Sequence, residues 1–138
     1  MMSEAEDRRQ LQDVMLSYAA AVDDRDMARY RACFMDDVEI VGFGEATIKG
    51  ADAWTASVES QLEAFSSTQH LISPQLATIS GDNASARTDV QALHVLKHSD
   101  GAMFTLWATY LTDFVRGSDG WKITRHELKI RGSNQSAV

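Results

Sequence analysis

Two of the four histidines in this 138-residue chain, His70 and His94, flank a single hairpin signal. The stretch from Thr68 to Lys97 reads as two strands around Ser80-Gly81-Asp82-Asn83, where Gly and Asn/Asp supply the positive φ values a tight turn needs. With a three-residue loop at Gly81 to Asn83, Ser80 faces Ala84 and His70 falls opposite His94. Opposed residues of an antiparallel pair share a face, with Cβ atoms roughly 5 Å apart. Two imidazoles that close cannot both be cationic without repulsion, so such a pair tends to share charge, one ring taking a proton while the other gives one. That chemistry suits elimination of water or relocation of a proton alpha to a carbonyl.

The second strand indicates which face they occupy. Thr88, Val90, Ala92, His94 and Leu96 alternate with the more polar Arg87, Asp89 and Gln91, so His94 belongs with the apolar set. A two-residue turn would slip the register by one and send the histidines to opposite faces. Pro74, the only proline, cannot donate to the ladder and marks a bulge or an edge, which would shift the count again. A single strand histidine is more often a hydrogen-bonded core or surface residue than a reactive one; two on one face change that balance.

The remaining elements decide what joins them. Leu11, Val14, Met15, Tyr18, Ala21 and Val22 recur at helical spacing from about Ser3 to Asp23. Asp26 then caps a shorter helix along which Met27, Tyr30 and Phe34 align, and Asp36-Asp37 breaks it. Val38 to Phe43 and Ala46 to Lys49 read as strands, and Gly50 opens a third helix with Trp54, Val58, Leu62 and Phe65 on one side. After the hairpin, Met103 to Val115 is a long aromatic-rich strand. Gly117-Ser118-Asp119-Gly120 is a second turn, Trp121 to Arg131 is the last strand, and 133–138 reads as a flexible tail behind a single domain over 1–132. Helices first and an antiparallel meander afterwards predict an α+β fold, a strongly curved sheet wrapped around the N-terminal helices with a cone-shaped cavity for a small molecule.

Composition narrows the function. An apolar share of 44% supports a core and a pocket without staples, and a formal charge of −7 with scattered Lys and Arg argues against nucleic acid or an anionic membrane as partner. Cys33 is alone, and no Cys/His spacing resembles a zinc site, so neither a disulfide framework nor a metal is expected. The polar, acidic start is unlike a signal peptide, and no apolar run reaches membrane-spanning length. A cytoplasmic setting follows as the expectation.

From Arg8 to Arg131 the chain resembles the SnoaL-like group of the nuclear transport factor 2-like superfamily. The resemblance rests on Tyr18-Ala19-Ala20-Ala21-Val22-Asp23 with Asp26, Phe34-Met35-Asp36-Asp37-Val38, Gly50, Thr68-Gln69-His70 and Asp119-Gly120-Trp121-Lys122-Ile123. Its site pattern is most similar to that of scytalone dehydratase and the hexachlorocyclohexane dehydrochlorinase, in which an aspartate ending the first helix orients a histidine that removes a proton from carbon. The resemblance puts Asp23 and His70 in those places, and His94 at the dehydratase's second histidine. The dehydratase's two substrate tyrosines fall at Val22 and Gly42, a departure that argues against its substrate. Periodicity alone leaves Asp23 at the margin of the buried stripe, a helix-end acid in an acidic turn.

The resemblance therefore implies a cofactor-independent lyase or isomerase acting on a small apolar or aromatic carbonyl compound. His70 is the base, Asp23 its orienter and His94 the acid or oxyanion partner. Tyr18 and Tyr110 are candidate donors to a developing oxyanion, with a core role for Tyr18 equally open. Hydrolysis by an activated water is a variant, and a non-catalytic ligand-binding or dioxygenase small-subunit role is the alternative from another class. Trp54, Trp107 and Trp121 read as core or interface aromatics, His98 and Glu39 as exposed, and His126 stays undecided on a face shared with Lys122, Thr124, Leu128 and Ile130. Leu93, Val95, Leu106 and Trp107 are assigned to the outer sheet face and predict a homodimer, with a trimer next.

Overall fold

Ser3 starts the first helix by accepting the Glu6 amide at 3.2 Å, which satisfies one of the donors a helix start leaves unpaired. The computed structural model describes residues 3–136. Helix α1 (Glu4–Asp23) buries Leu11, Met15, Tyr18 and Val22, the stripe that the spacing predicts. Asp26 caps α2 (Met27–Arg31) by accepting the Arg29 amide. Then follow β1 (Phe34–Val41), β2 (Ile48–Lys49), α3 (Ala51–Leu62), β3 (Phe65–Ile72), β4 (Leu76–Ser80), β5 (Asn83–Leu96), β6 (Met103–Gly117) and β7 (Gly120–Ser136). The sheet order is β2-β1-β7-β6-β5-β3, with β4 also on β5. β1 runs parallel to β7 and every other pairing is antiparallel. The fold is α+β: a curved, unclosed seven-stranded sheet with the N-terminal helices packed on it.

Three local expectations are corrected. Helix α2 is short, and Phe34 opens β1 instead of completing α2, because it pairs with Ile123 across the parallel ladder and is fully buried there. The run 133–138 is a strand as far as Ser136, since the first residues of β6 need a partner: Met103 pairs with Ser136 and Leu106 with Ser133. Residues 137 and 138 lie outside those described.

The third correction concerns the hairpin. β4 and β5 are joined by the two residues Gly81 and Asp82, with Ser80 paired to Asn83, so the loop is one residue shorter than expected. That slip by itself would separate the histidines. Ser73, Pro74 and Gln75 interrupt the outer strand, however, and beyond them β3 is displaced by one more residue against β5. His70 accordingly lies across from Ala92, and His94 across from Thr68. Two one-residue slips restore the facing, and the rings become diagonal neighbours on the inner face.

Among the described residues no helix is long and apolar enough to cross a membrane.

Candidate active site

Asp23 is the last residue of α1, where the helix dipole disfavours a negative charge and no basic residue occupies the final turn. Three donors compensate. Oδ2 accepts the His70 backbone N–H at 2.8 Å, and Oδ1 meets both the His70 ring at Nδ1, 2.8 Å, and the Thr68 hydroxyl, 3.1 Å. Burial by itself raises the carboxyl, but the hydrogen bonds from the His70 ring and backbone and from Thr68 outweigh it and hold Asp23 below the ordinary carboxylate range. An ionised carboxylate only accepts, so Nδ1 of His70 carries the proton and Nε2 is left as the basic nitrogen of the neutral ring.

His94 approaches from the next strand with its ring 6.0 Å from that of His70. Its inward facing follows from the alternation of β5, whose Ala84, Ala86, Thr88, Val90 and Ala92 are buried. Phe104, its partner across β6, lies flat against it at 4.1 Å, and Phe65 covers another edge at 4.9 Å. Burial first, and the neighbouring His70 second, push His94 below the ordinary imidazole value; the Ala92 and Phe104 carbonyls and Asp23 only partly offset this. Its Nδ1 is sealed from solvent with no acceptor in hydrogen-bonding geometry. His94 is thus held as a neutral ring near neutral pH.

Both rings line a cavity of about 270 Å³. Its walls are aromatic and aliphatic: Tyr18 and Val22 from α1, Tyr30 from α2, Trp54, Val58 and Leu62 from α3, and Val90, Ala92, Phe104, Leu106, Tyr110 and Leu128 from the sheet. Exposed Gln61 and Ile130 stand where it meets solvent. Phe43 enters from the end of β1. Gly42 before it has φ 86°, and a Cβ there would strike the Leu128 carbonyl, so the strand end turns and the side chain of Phe43 packs on Trp54 at 4.9 Å.

Tyr18 and Tyr110 form the deep wall, both nearly inaccessible, with rings 5.4 Å apart. Burial and neighbouring hydroxyls raise both phenols well above their usual value, so each is a neutral O–H group. Behind them lies His126, fully buried, with Nε2 3.0 Å from the Tyr18 hydroxyl and Nδ1 3.0 Å from that of Thr112. A bulge at Thr124 puts it there. Ile123 pairs with Phe114 and Arg125 with Asp113, so the alternation of β7 resets at the extra residue, and His126 shares the inner face with Leu128 but not with Lys122. This resolves the mixed face that the sequence pattern shows.

The structure brings together His70, His94, Tyr18 and Tyr110 around one cavity, with Asp23 bonded to His70 behind the wall. Glu39 pairs with Arg125 and Lys49 at the surface, and His98 is exposed in a turn. Trp121 is core, donating to Asp7 at 3.1 Å, and Trp54 is both core and pocket wall, with its indole donating to the Tyr30 hydroxyl at 3.0 Å. Leu106 was expected on the outer face and is corrected: strict alternation along β6 puts it in the cavity and its neighbour Trp107 outside. Sequence reasoning missed Thr68, Phe43 and Arg25. Thr68 carried one available signal, its place two residues before His70 and so on the same face.

The SnoaL-like domain family matches residues 3–127, and the chain belongs to that family. No curated protein sequence matches it. Among solved structures it is similar to a candidate aromatic ring hydroxylase from Novosphingobium aromaticivorans, at 28% identity, TM-score 0.86, over 96% of that chain and 99% of this one. It is also similar to a candidate scytalone dehydratase from the same organism, at 24% identity and TM-score 0.85, covering 94% of this chain and 87% of that one. A third is hexachlorocyclohexane dehydrochlorinase LinA-type3 from Novosphingobium barchaimii, at 20% identity and TM-score 0.82, covering 94% and 90%. The cystatin-like, nuclear transport factor 2-like architecture is thereby shared.

Proposed function

We propose that the protein is a cofactor-independent lyase or isomerase acting on a small apolar or aromatic carbonyl compound. The observation that carries this reading is the 2.8 Å pairing of Asp23 with Nδ1 of His70 at the wall of an aromatic cavity. Nε2 of His70 takes a proton from carbon alpha to the carbonyl, and Asp23 stabilises the imidazolium that results. The electron pair moves onto the carbonyl oxygen, where neutral donors meet it: an N–H of His94, or the hydroxyl of Tyr18 or Tyr110. Return of the proton to a different carbon completes an isomerisation; loss of a beta hydroxyl as water completes a dehydration. Activation of a water by His70 is the hydrolytic variant.

A second reading takes its support from the 28% identical neighbour described as an aromatic ring hydroxylase. On this reading the present chain is a partner subunit or a ligand-binding module without chemistry of its own. Purified protein alone separates the two: the enzymatic reading expects turnover of an enolisable aromatic carbonyl compound, and either Asp23→Asn or His70→Ala lowers the rate by about 10² to 10⁴. Equal turnover in wild type and both variants would remove the pair from the mechanism.

We propose in addition that two copies associate through the outer sheet face, where Leu93 and Val95 are half-buried and Trp107 is 39% exposed.

A further inference from the structure

Arg25 sits in a backbone conformation that ordinarily belongs to glycine. Its φ of 59° is in the left-handed region, which a residue with a Cβ resists. Such an outlier draws attention to what the side chain does in return. Nη1 donates to the Val22 carbonyl at 2.7 Å and to the Thr68 hydroxyl at 2.8 Å. Thr68, 6% exposed on β3, has that same oxygen 3.1 Å from Oδ1 of Asp23. The direction of these bonds is forced. A guanidinium can only donate, an ionised carboxylate can only accept, and a threonine hydroxyl has one proton to give. Thr68 therefore accepts from Arg25 and donates to Asp23.

We propose that Arg25 and Thr68 are positioning residues for the Asp23–His70 pair, a two-step hydrogen-bonded relay that fixes the Asp23 carboxylate and keeps it ionised. The inference rests on reading Asp23 and His70 as the reacting pair. Its physical logic is that a cation bonded directly to Asp23 would compete with His70 for the carboxylate. Acting through Thr68, the guanidinium polarises a neutral hydroxyl and strengthens it as a donor, while the other bonds of the carboxylate stay with His70. Val22, the second acceptor of Arg25, immediately precedes Asp23, so the same side chain ties down the helix end from which Asp23 projects.

The titratable and charged groups around Asp23 are His70 on β3, His94 on β5, Tyr110 on β6 and Arg25 itself on the turn after α1. The test needs no substrate. Carboxyl carbon resonances of Asp23 and ring nitrogen resonances of His70 are followed against pH in the full chain, for wild type, Thr68→Val, Thr68→Ser and Arg25→Gly. Thr68→Val is expected to raise the Asp23 pKa by about one pH unit, a roughly tenfold weaker acid, and to mix the His70 tautomers. Thr68→Ser restores both, which a purely steric role for Thr68 would not require. Arg25→Gly accepts the left-handed turn without strain, so it keeps the fold if Thr68→Val does not, and it shifts Asp23 in the same direction by a smaller amount. An Asp23 titration that is unchanged in Arg25→Gly and in a folded Thr68→Val overturns the relay. Turnover lost in Asp23→Asn together with an unchanged titration in those variants would sink the relay and leave the proposed function standing; shifted titrations in a protein that turns nothing over would do the reverse.

Discussion

His70 and His126 are imidazoles on the same inner sheet face, yet they are held for opposite ends. His70 stands at the cavity wall with its side chain 12% exposed and an ionised carboxylate on Nδ1. His126 is inaccessible, hydrogen-bonded to the hydroxyls of Tyr18 and Thr112 and packed against the rings of Phe43 and Tyr110, and burial pushes it down to about 3. Desolvation penalises the charged form of a buried imidazole, and neither hydroxyl beside His126 carries a charge to offset it. The contrast is one of place: His70 keeps a carboxylate partner at the cavity wall, whereas full burial holds His126 neutral behind it.

The largest effect that would test this contrast is acid sensitivity from His126. Its folded-state pKa lies below the unfolded value, so between pH 6.5 and about 3 the unfolded chain binds the extra proton and stability falls as pH falls. The loss amounts to about 1.4 kcal/mol per pH unit at most and levels off near the folded value. Chemical unfolding across pH 4 to 7 measures it, and His126→Gln should flatten the profile. A profile equally steep in that variant would assign acid sensitivity to other groups.

Next in size is Tyr18→Phe, which leaves one nitrogen of His126 buried without a partner and should cost about 1–3 kcal/mol in unfolding free energy. If Tyr18 also meets the substrate oxygen, kcat falls about tenfold or more while KM moves little. A smaller stability loss, about 1 kcal/mol, is expected for His70→Ala, since Asp23 retains the Thr68 hydroxyl and a backbone donor. Loss of turnover with so little loss of stability is the signature that separates His70 from His126. The smallest effect expected on the site is from Trp107→Lys, which should leave turnover intact and shift light scattering from dimer to monomer at micromolar concentration. A wild-type monomer at that concentration would contradict association through the outer face.

Much of this was legible in the chain beforehand. The Leu11/Met15/Tyr18/Val22 stripe, the Asp26 cap, the aromatic β6 and the turn at Gly117 to Gly120 all carry periodic or conformational signals that depend on near neighbours alone. His94 could be put on the inner face because β5 alternates without interruption. Asp23 was different: helical spacing left it at the margin of the stripe, and only the family resemblance directed it to His70. His126 was hidden by the bulge at Thr124, since one inserted residue reverses alternation without leaving a local mark. Leu106 was misplaced for a plainer reason, having been grouped with its immediate neighbour Trp107 on the assumption that both are surface apolar residues.

Sequence by itself determined the element order and the α+β class, because helix periodicity, strand alternation and turn chemistry act over a few residues. Tertiary structure decided the registers, and with them the outcome that matters here. Two compensating slips in the hairpin bring His70 and His94 to one face, a bulge turns His126 inward, and a left-handed Arg25 reaches Thr68 beside Asp23. Each of these depends on how segments far apart in the chain pair and pack, and no pattern within a single segment encodes it.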